Sequence, residues 1–192
     1  MKRKREIVRR ATEVFERRGV QGASLEEIAD AVGIKREGLY YYFRDRAAIL
    51  AEIILPPSVN LLKGLRHIMD SSKTYEEKLR LALENHLDRF DPNYLEMAVA
   101  LREHHIYEEN REMEKLRKVW KQYSDLWIEF IREGQSEGVF KPAQNSKLVA
   151  FGILGMCNWL SRWYDPAKDI PVTELIDTYF SMILSGISQT EV

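Results

Sequence analysis

The chain has 192 residues, 45% hydrophobic and 31% charged, which suffices for one compact domain or a small module joined to a larger one. No apolar run approaches the roughly 18–20 residues of a membrane span, and the basic start MKRKREIVRR lacks the apolar stretch of a secretory signal, so neither is expected. The net charge of −1 hides an asymmetry: up to Ala47 there are 12 Lys/Arg against 8 Asp/Glu, and beyond it 17 against 22. A basic first quarter on an acidic remainder is the pattern of a nucleic-acid-binding head, and equally of solvated helix faces.

Helical periodicity runs through nearly the whole sequence, with no internal repeat and no strand-like alternation bounded by hairpin turns. Ile7, Ala11, Val14 and Phe15 form one apolar stripe, and Gly19 is placed to end that helix. Ser24-Leu25-Glu26-Glu27 has the form of a capping box, in which the serine hydroxyl and the glutamate carboxylate each satisfy the other's backbone amide. Leu25, Ile28, Ala29 and Val32 give the next helix its buried face, and Gly33 closes it. Only Ile34 and Lys35 then precede a third helix, so the first three elements read as a helix-turn-helix.

A further helix begins at Ala47 and should kink or break at Pro56-Pro57, since two backbone donors are missing there. Helices are then expected at Tyr75 to Phe90, Pro92 to about His105, and Asn110 to about Glu137. In the last of these Met113, Leu116, Trp120, Tyr123, Trp127 and Phe130 recur at helical spacing, a seam along roughly 40 Å. Ser146 to Trp163 and Val172 to Ile187 complete an all-α chain of about nine helices.

The third helix carries REGLYYYFRD, four consecutive aromatic residues in a basic stretch. At about 100° per residue, Leu39 and Phe43 share a face, Tyr41 lies opposite, and Tyr40 and Tyr42 flank it. Leu39 and Phe43 therefore anchor the helix, and Tyr41 must face outward. Phenolic hydroxyls donate to phosphate oxygens, and an arginine and a glutamate in the first turn can read guanine and cytosine edges. The competing reading is an aromatic helix packed against the rest of the chain.

AxxVFxxxG at 11–19, SLEEIADAVGI at 24–34 and GLYYYFRDRAAIL at 38–50 resemble the DNA-binding head of the TetR family of bacterial repressors. The resemblance implies a head at residues 1–47 and a helical ligand-binding and dimerisation domain at 48–192. It implies a homodimer that binds a palindromic double-stranded DNA operator and is released by a small-molecule effector. It further implies base contacts from Arg36, Glu37, Gly38 and Tyr40, and phosphate contacts from Tyr41, Tyr42 and Arg46, with Ser24 and Lys35 as further DNA-binding residues. Lys2, Arg3, Lys4 and Arg5 resemble the flexible arm of such proteins. Glu26 and Glu37 are acidic where base-reading positions fall, so no operator sequence follows.

In the larger domain, GILGMCNWLSRWYDP at 152–166 places Asn158 and Arg162 beside Trp159 and Trp163. Arginine among aromatic rings suits phosphate or carboxylate recognition, or equally a helix C-terminus beside tryptophans packing an interface. NWxxRWYxP is similar to regulators of fatty-acid and related catabolism, which implies an acyl-CoA effector; a drug-like or aromatic compound is the alternative. His86, Trp120, Tyr123, Trp127, Asn158 and Arg162 are the candidate ligand-binding residues. Phe151, Gly155, Trp159, Leu175, Tyr179 and Ile183 are the candidate dimer interface.

His86 shares an apolar stripe, where a satisfied core histidine is the competing reading. The adjacent His104 and His105 diverge on a helix, and no spacing matches a zinc motif, so neither metal nor cofactor is expected. Glycine-rich phosphate loops and nucleophile-base pairs are also missing, so no enzyme is expected. The remaining class is an all-α interaction protein without DNA binding. Cys157 is the only cysteine and lies in an apolar run, which points to a packing role and a reducing, cytoplasmic setting.

Overall fold

The computed structural model of the chain describes residues 2–87, 111–165, 167, 168 and 170–189. Among these are eight α-helices and no strand: α1 (Lys2–Gly22), α2 (Leu25–Val32), α3 (Arg36–Tyr40), α4 (Arg46–Met69), α5 (Tyr75–Leu87), α6 (Arg111–Ser136), α7 (Ser146–Trp159) and α8 (Val172–Ile187). A short 3-10 turn follows α7 at Leu160–Arg162, and a lone antiparallel bridge joins Phe140 to Ser188. The all-α expectation holds. The helix expected from Pro92 to His105, with both its histidines, lies outside the described residues, as do residues 88–90.

The described residues divide into two compact units, 2–58 with 111–118 and 59–87 with 119–189. In the first, α1 buries the expected stripe of Ile7, Ala11, Val14 and Phe15. Gly19 then takes φ 71° and ψ 164°, which only glycine adopts freely, and the chain makes one further turn to Gly22. Ile28, Leu39, Ile49 and Ile54 complete a core shared by α1, α2, α3 and the start of α4.

The second unit has its own core, in which Trp127, Phe130, Phe140, Leu65 and Leu79 are fully buried. Phe130 meets Tyr75 at 5.8 Å, Phe140 at 5.6 Å and Trp127 at 6.2 Å, an aromatic lattice linking α5, α6 and the turn after α6. Arg80 of α5 pairs with Glu84 and with Asp177 of α8, and its guanidinium lies 5.4 Å from the Phe180 ring.

Two sequence expectations need correction. Pro56 and Pro57 lie inside α4, which continues past them to Met69. Burial of Ile54 before the pair and of Leu62 and Leu65 after it offsets the roughly 3 kcal/mol that a helix-interior proline costs. By length and composition α4 is also long and apolar enough to cross a membrane, because its few scattered charges interrupt the apolar runs without making the helix polar overall. Its Ala47, Ile49, Leu50, Ala51, Ile54, Leu62 and Leu65 are buried within the protein.

Candidate nucleic-acid interface and inner polar cluster

The turn that presents α3 is fixed at both ends of α2. Ser24 Oγ accepts from the Glu27 amide at 3.1 Å, and Glu27 Oε2 accepts from the Ser24 amide at 3.1 Å, the capping box read from sequence. Ser24 and then Arg18, 3.0 Å away, hold the Glu27 carboxyl below the usual carboxylate range. Gly33 ends α2 at φ 72° and ψ 39°, and the Ile34 amide returns to the Ala29 carbonyl at 3.0 Å.

Regular helix in α3 covers only five residues, yet the Phe43 amide still bonds the Leu39 carbonyl at 3.0 Å. The helical wheel therefore holds through Phe43. Leu39 and Phe43 are buried, whereas Tyr41 is 84% exposed, Tyr40 44% and Tyr42 37%. Tyr41 and Tyr42 meet edge to face at 4.9 Å. Arg36 donates to the Tyr40 hydroxyl at 3.0 Å, with its guanidinium 5.7 Å from that ring. The bond to Tyr40, together with the charges of Glu26 and Glu37, favours the charged guanidinium further. Lys35 precedes α3 on the surface, Glu37 is exposed and Gly38 half-buried.

The basic start departs from expectation. Lys2 to Arg5 form the first turn of α1 and no free arm. Arg3 pairs with Glu6 at 2.7 Å, while Lys4 pairs with Glu52 at 2.9 Å and lies 5.3 Å from the Phe43 ring. Helix continuity and those partners absorb residues that composition alone assigns to a tail. Arg46 Nη1, expected at phosphate, donates to the carbonyls of Gln21 and Ala23.

In the second unit, His86 Nδ1 lies 2.9 Å from the Tyr123 hydroxyl, so two of the six candidate ligand residues touch. Trp127, one helical turn beyond Tyr123, is fully buried, and its Nε1 has no hydrogen-bond partner among the described residues. An unpaired buried donor costs about 1–3 kcal/mol. Trp120 and Asn158 are half-buried, and Arg162 is exposed. Arg162 ends the 3-10 turn, so the i, i+4 relation to Asn158 assumed for a continuous α-helix does not hold there.

Of the six interface candidates, Phe151, Gly155 and Trp159 are exposed and Tyr179 is half-buried. Leu175 and Ile183 instead point into the unit's own core, at 1% and 7% exposure. Helix α8 is apolar on more than one side, and spacing alone does not tell which side faces inward. Leu148 and Met182, which sequence reading passed over, are exposed at 71% and 58%. Leu148, Phe151, Gly155 and Trp159 follow helical steps of three and four, a signal that was available.

Cys157 is buried as expected, and burial pushes its thiol up to about 12. His67 is exposed, and no group of three metal-ligating side chains occurs among the described residues.

Residues 7–53 match the family described as bacterial regulatory proteins, tetR family, and residues 72–187 match the tetracyclin repressor-like C-terminal domain. The chain belongs to the TetR family. It is therefore a DNA-binding transcriptional regulator and not an enzyme. It is 25% identical to the transcriptional repressor KstR2 of Rhodococcus jostii over 97% of this chain and 91% of the relative. The solved structure of the ketosteroid transcriptional regulator KstR2 of Mycobacterium tuberculosis superposes with a TM-score of 0.78 at 22% identity, covering 98% of this chain and 96% of that one. AibR, solved with isovaleryl coenzyme A and operator DNA, has a TM-score of 0.77 at 22% identity, covering 94% and 97%. These likenesses extend the TetR fold over both units.

Proposed function

We propose that this TetR-family protein is a cytoplasmic homodimeric repressor whose head, residues 1–47, binds a palindromic operator and is released by a small apolar effector, an acyl-CoA. The exposed face of α3 carries the reading. Arg36, Glu37, Gly38 and Tyr40 would read bases in the major groove, and Tyr41 and Tyr42, with Lys35 and Ser24 beside them, would meet phosphates. Arg46 serves first as the latch that sets α2 against α4, and phosphate contact is its second role. The exposed apolar stripe of Phe151, Gly155 and Trp159, with Tyr179 beside Met182 on α8, is the surface offered to a second copy.

Two observations support the acyl-CoA: the isovaleryl coenzyme A held by AibR, and an exposed Arg162 that lies in sequence between the exposed Trp159 and Trp163. The wholly buried aromatic lattice around Trp127 favours a drug-like or aromatic effector as the second reading. Release is a population shift, because a ligand can free DNA only by binding the released conformation more tightly. A difference of about 2–3 kcal/mol would weaken operator binding roughly 30- to 150-fold.

Native mass spectrometry of the full chain gives the oligomeric state. Thermal shift across acyl-CoA chain lengths then gives the effector class, and selection from a randomised DNA library gives the operator. Dimers, a chain-length optimum and a palindromic consensus are expected. No stabilisation by any thioester would move the effector to the aromatic class, and no selected DNA would leave an interaction protein.

A further inference from the structure

The indole of Trp127 is wholly buried in the second unit, and its Nε1 meets no acceptor among the described residues. The ring is not free to turn in search of one. Phe130 meets it edge-on at 6.2 Å and is itself set between Tyr75 and Phe140. One turn back along α6, the Tyr123 hydroxyl lies 2.9 Å from His86 Nδ1 on α5. Tyr123 and Trp127 belong to a mostly apolar core cluster that also holds Leu79, Leu83, Leu87 and Phe130.

The geometry points to Trp127 Nε1 as the donor that receives a neutral acceptor oxygen of the effector, a ketone, ester or thioester carbonyl. The inference rests on the reading that this core takes a small apolar effector, and it adds the chemistry of the contact. An indole N–H only donates, so the ligand must accept. A carboxylate or phosphate at that depth needs a buried cation, and no charged side chain is buried among the described residues. His86 on α5, the ring that could carry a positive charge there, already engages Tyr123. A trapped water is the alternative occupant, but it needs two to four polar partners, and Trp127 Nε1 is the one unsatisfied buried side-chain polar atom among the described residues. A carbonyl oxygen needs only the one donor and brings apolar carbon to pack against the leucines.

The test uses the full chain labelled with 15N at tryptophan, whose four indole N–H resonances are followed by NMR, with Trp127 assigned by its loss in Trp127→Phe. The probes are 2-decanone, decanoate and decanoyl-CoA. The expected result is a downfield shift of the Trp127 N–H with 2-decanone and with decanoyl-CoA, and binding about three- to tenfold weaker in Trp127→Phe. If that variant does not fold, Trp127 is assigned by elimination from the losses in Trp120→Phe, Trp159→Phe and Trp163→Phe, and its wild-type resonance decides. Movement of other resonances with Trp127 unmoved overturns the inference. So does decanoate binding as tightly as 2-decanone, or no response to any of the three probes. A Trp127 shift with 2-decanone and none with decanoyl-CoA upholds it while removing the acyl-CoA reading.

Discussion

Arg46 Nη1 donates to the Ala23 carbonyl at 2.8 Å and to the Gln21 carbonyl at 3.2 Å, tying the first residue of α4 to the turn that enters α2. Bonds from a charged donor to backbone carbonyls are among the stronger ones, so Arg46→Ala should cost about 1–2 kcal/mol of stability after solvent exposure is allowed for. Operator affinity should fall with it, through misplacement of α2 and α3. Fluorescence anisotropy against salt separates the two roles. A pure latch leaves the log–log slope unchanged, whereas a lost phosphate contact lowers its magnitude by about 0.9. Arg46→Lys should recover only part of the stability, because an ammonium lacks the planar fork.

Tyr41 makes the opposite case. It is 84% exposed and its ring meets that of Tyr42 at 4.9 Å, so its removal opens no buried cavity. Tyr41→Ala should leave thermal stability within about 0.5 kcal/mol and weaken operator binding roughly tenfold. Leu39→Ala, on the buried face, should instead cost about 2–5 kcal/mol in the melting curve. Equal operator affinity for wild type and Tyr41→Ala would remove Tyr41 from the interface.

The contrast between Leu39 and Tyr41 was legible because helical arithmetic needs only local sequence. The capping box at Ser24 and the break at Gly19 were legible for the same reason: backbone donors and glycine conformations are settled within a few residues. Arg46, Lys4 and Arg3 were not, because their partners at Ala23, Glu52 and Val32 are brought near only by the folded head. At Pro56-Pro57 the break, one of the two outcomes expected there, does not occur: propensity was weighed without the burial on either side. On α8 the period was read correctly, but an apolar stripe does not say whether it meets its own core or a second chain, and Leu175 and Ile183 proved to meet their own.

Glu27 gives the head a pH dependence with a definite sign. The Ser24 amide and hydroxyl, with Arg18, hold its carboxyl below the usual carboxylate range. Its contribution is therefore complete above that range and is lost as pH falls through the lowered value. Glu77, bonded to the Thr74 amide at 2.9 Å, repeats the arrangement at the start of α5. Urea midpoints measured from about pH 7 to 3 should show wild type and Glu27→Gln converging as acid is added. Ser24→Ala should cost about 1 kcal/mol at neutral pH, the usual value of an N-cap.

Gly134 and Gly152 should respond in opposite ways to the same change. A methyl on Gly134 would overlap the buried Phe140 ring, which is packed against Phe130 and Tyr75. Overpacking of about 1–3 kcal/mol should exceed the helix-propensity gain of about 1 kcal/mol, so Gly134→Ala is destabilising. A methyl on Gly152 meets no described atom within 4 Å, so Gly152→Ala should be neutral or slightly stabilising in thermal melts. If the exposed stripe of α7 is the dimer surface, the same variant should raise the dimer dissociation constant in sedimentation.

The proline pair offers a test of how a bound effector is felt at the head. Helix α4 belongs to the first unit up to Ser58 and to the second from Val59, directly after Pro56 and Pro57. The prolines leave the carbonyls of Glu52 and Ile53 without their usual i+4 donors, so this stretch of α4 is held by packing more than by its own ladder. A segment with a weakened ladder can change its bend at low cost, whereas a continuous helix transmits displacement rigidly. Pro56→Ala with Pro57→Ala restores both donors and should raise the melting temperature. Operator affinity without effector should change little, because no residue of the DNA face is touched. The ratio of operator affinities with and without effector should change several-fold, in either direction, as measured by anisotropy at saturating effector. A ratio equal to that of wild type would place the transmission elsewhere than in this part of α4.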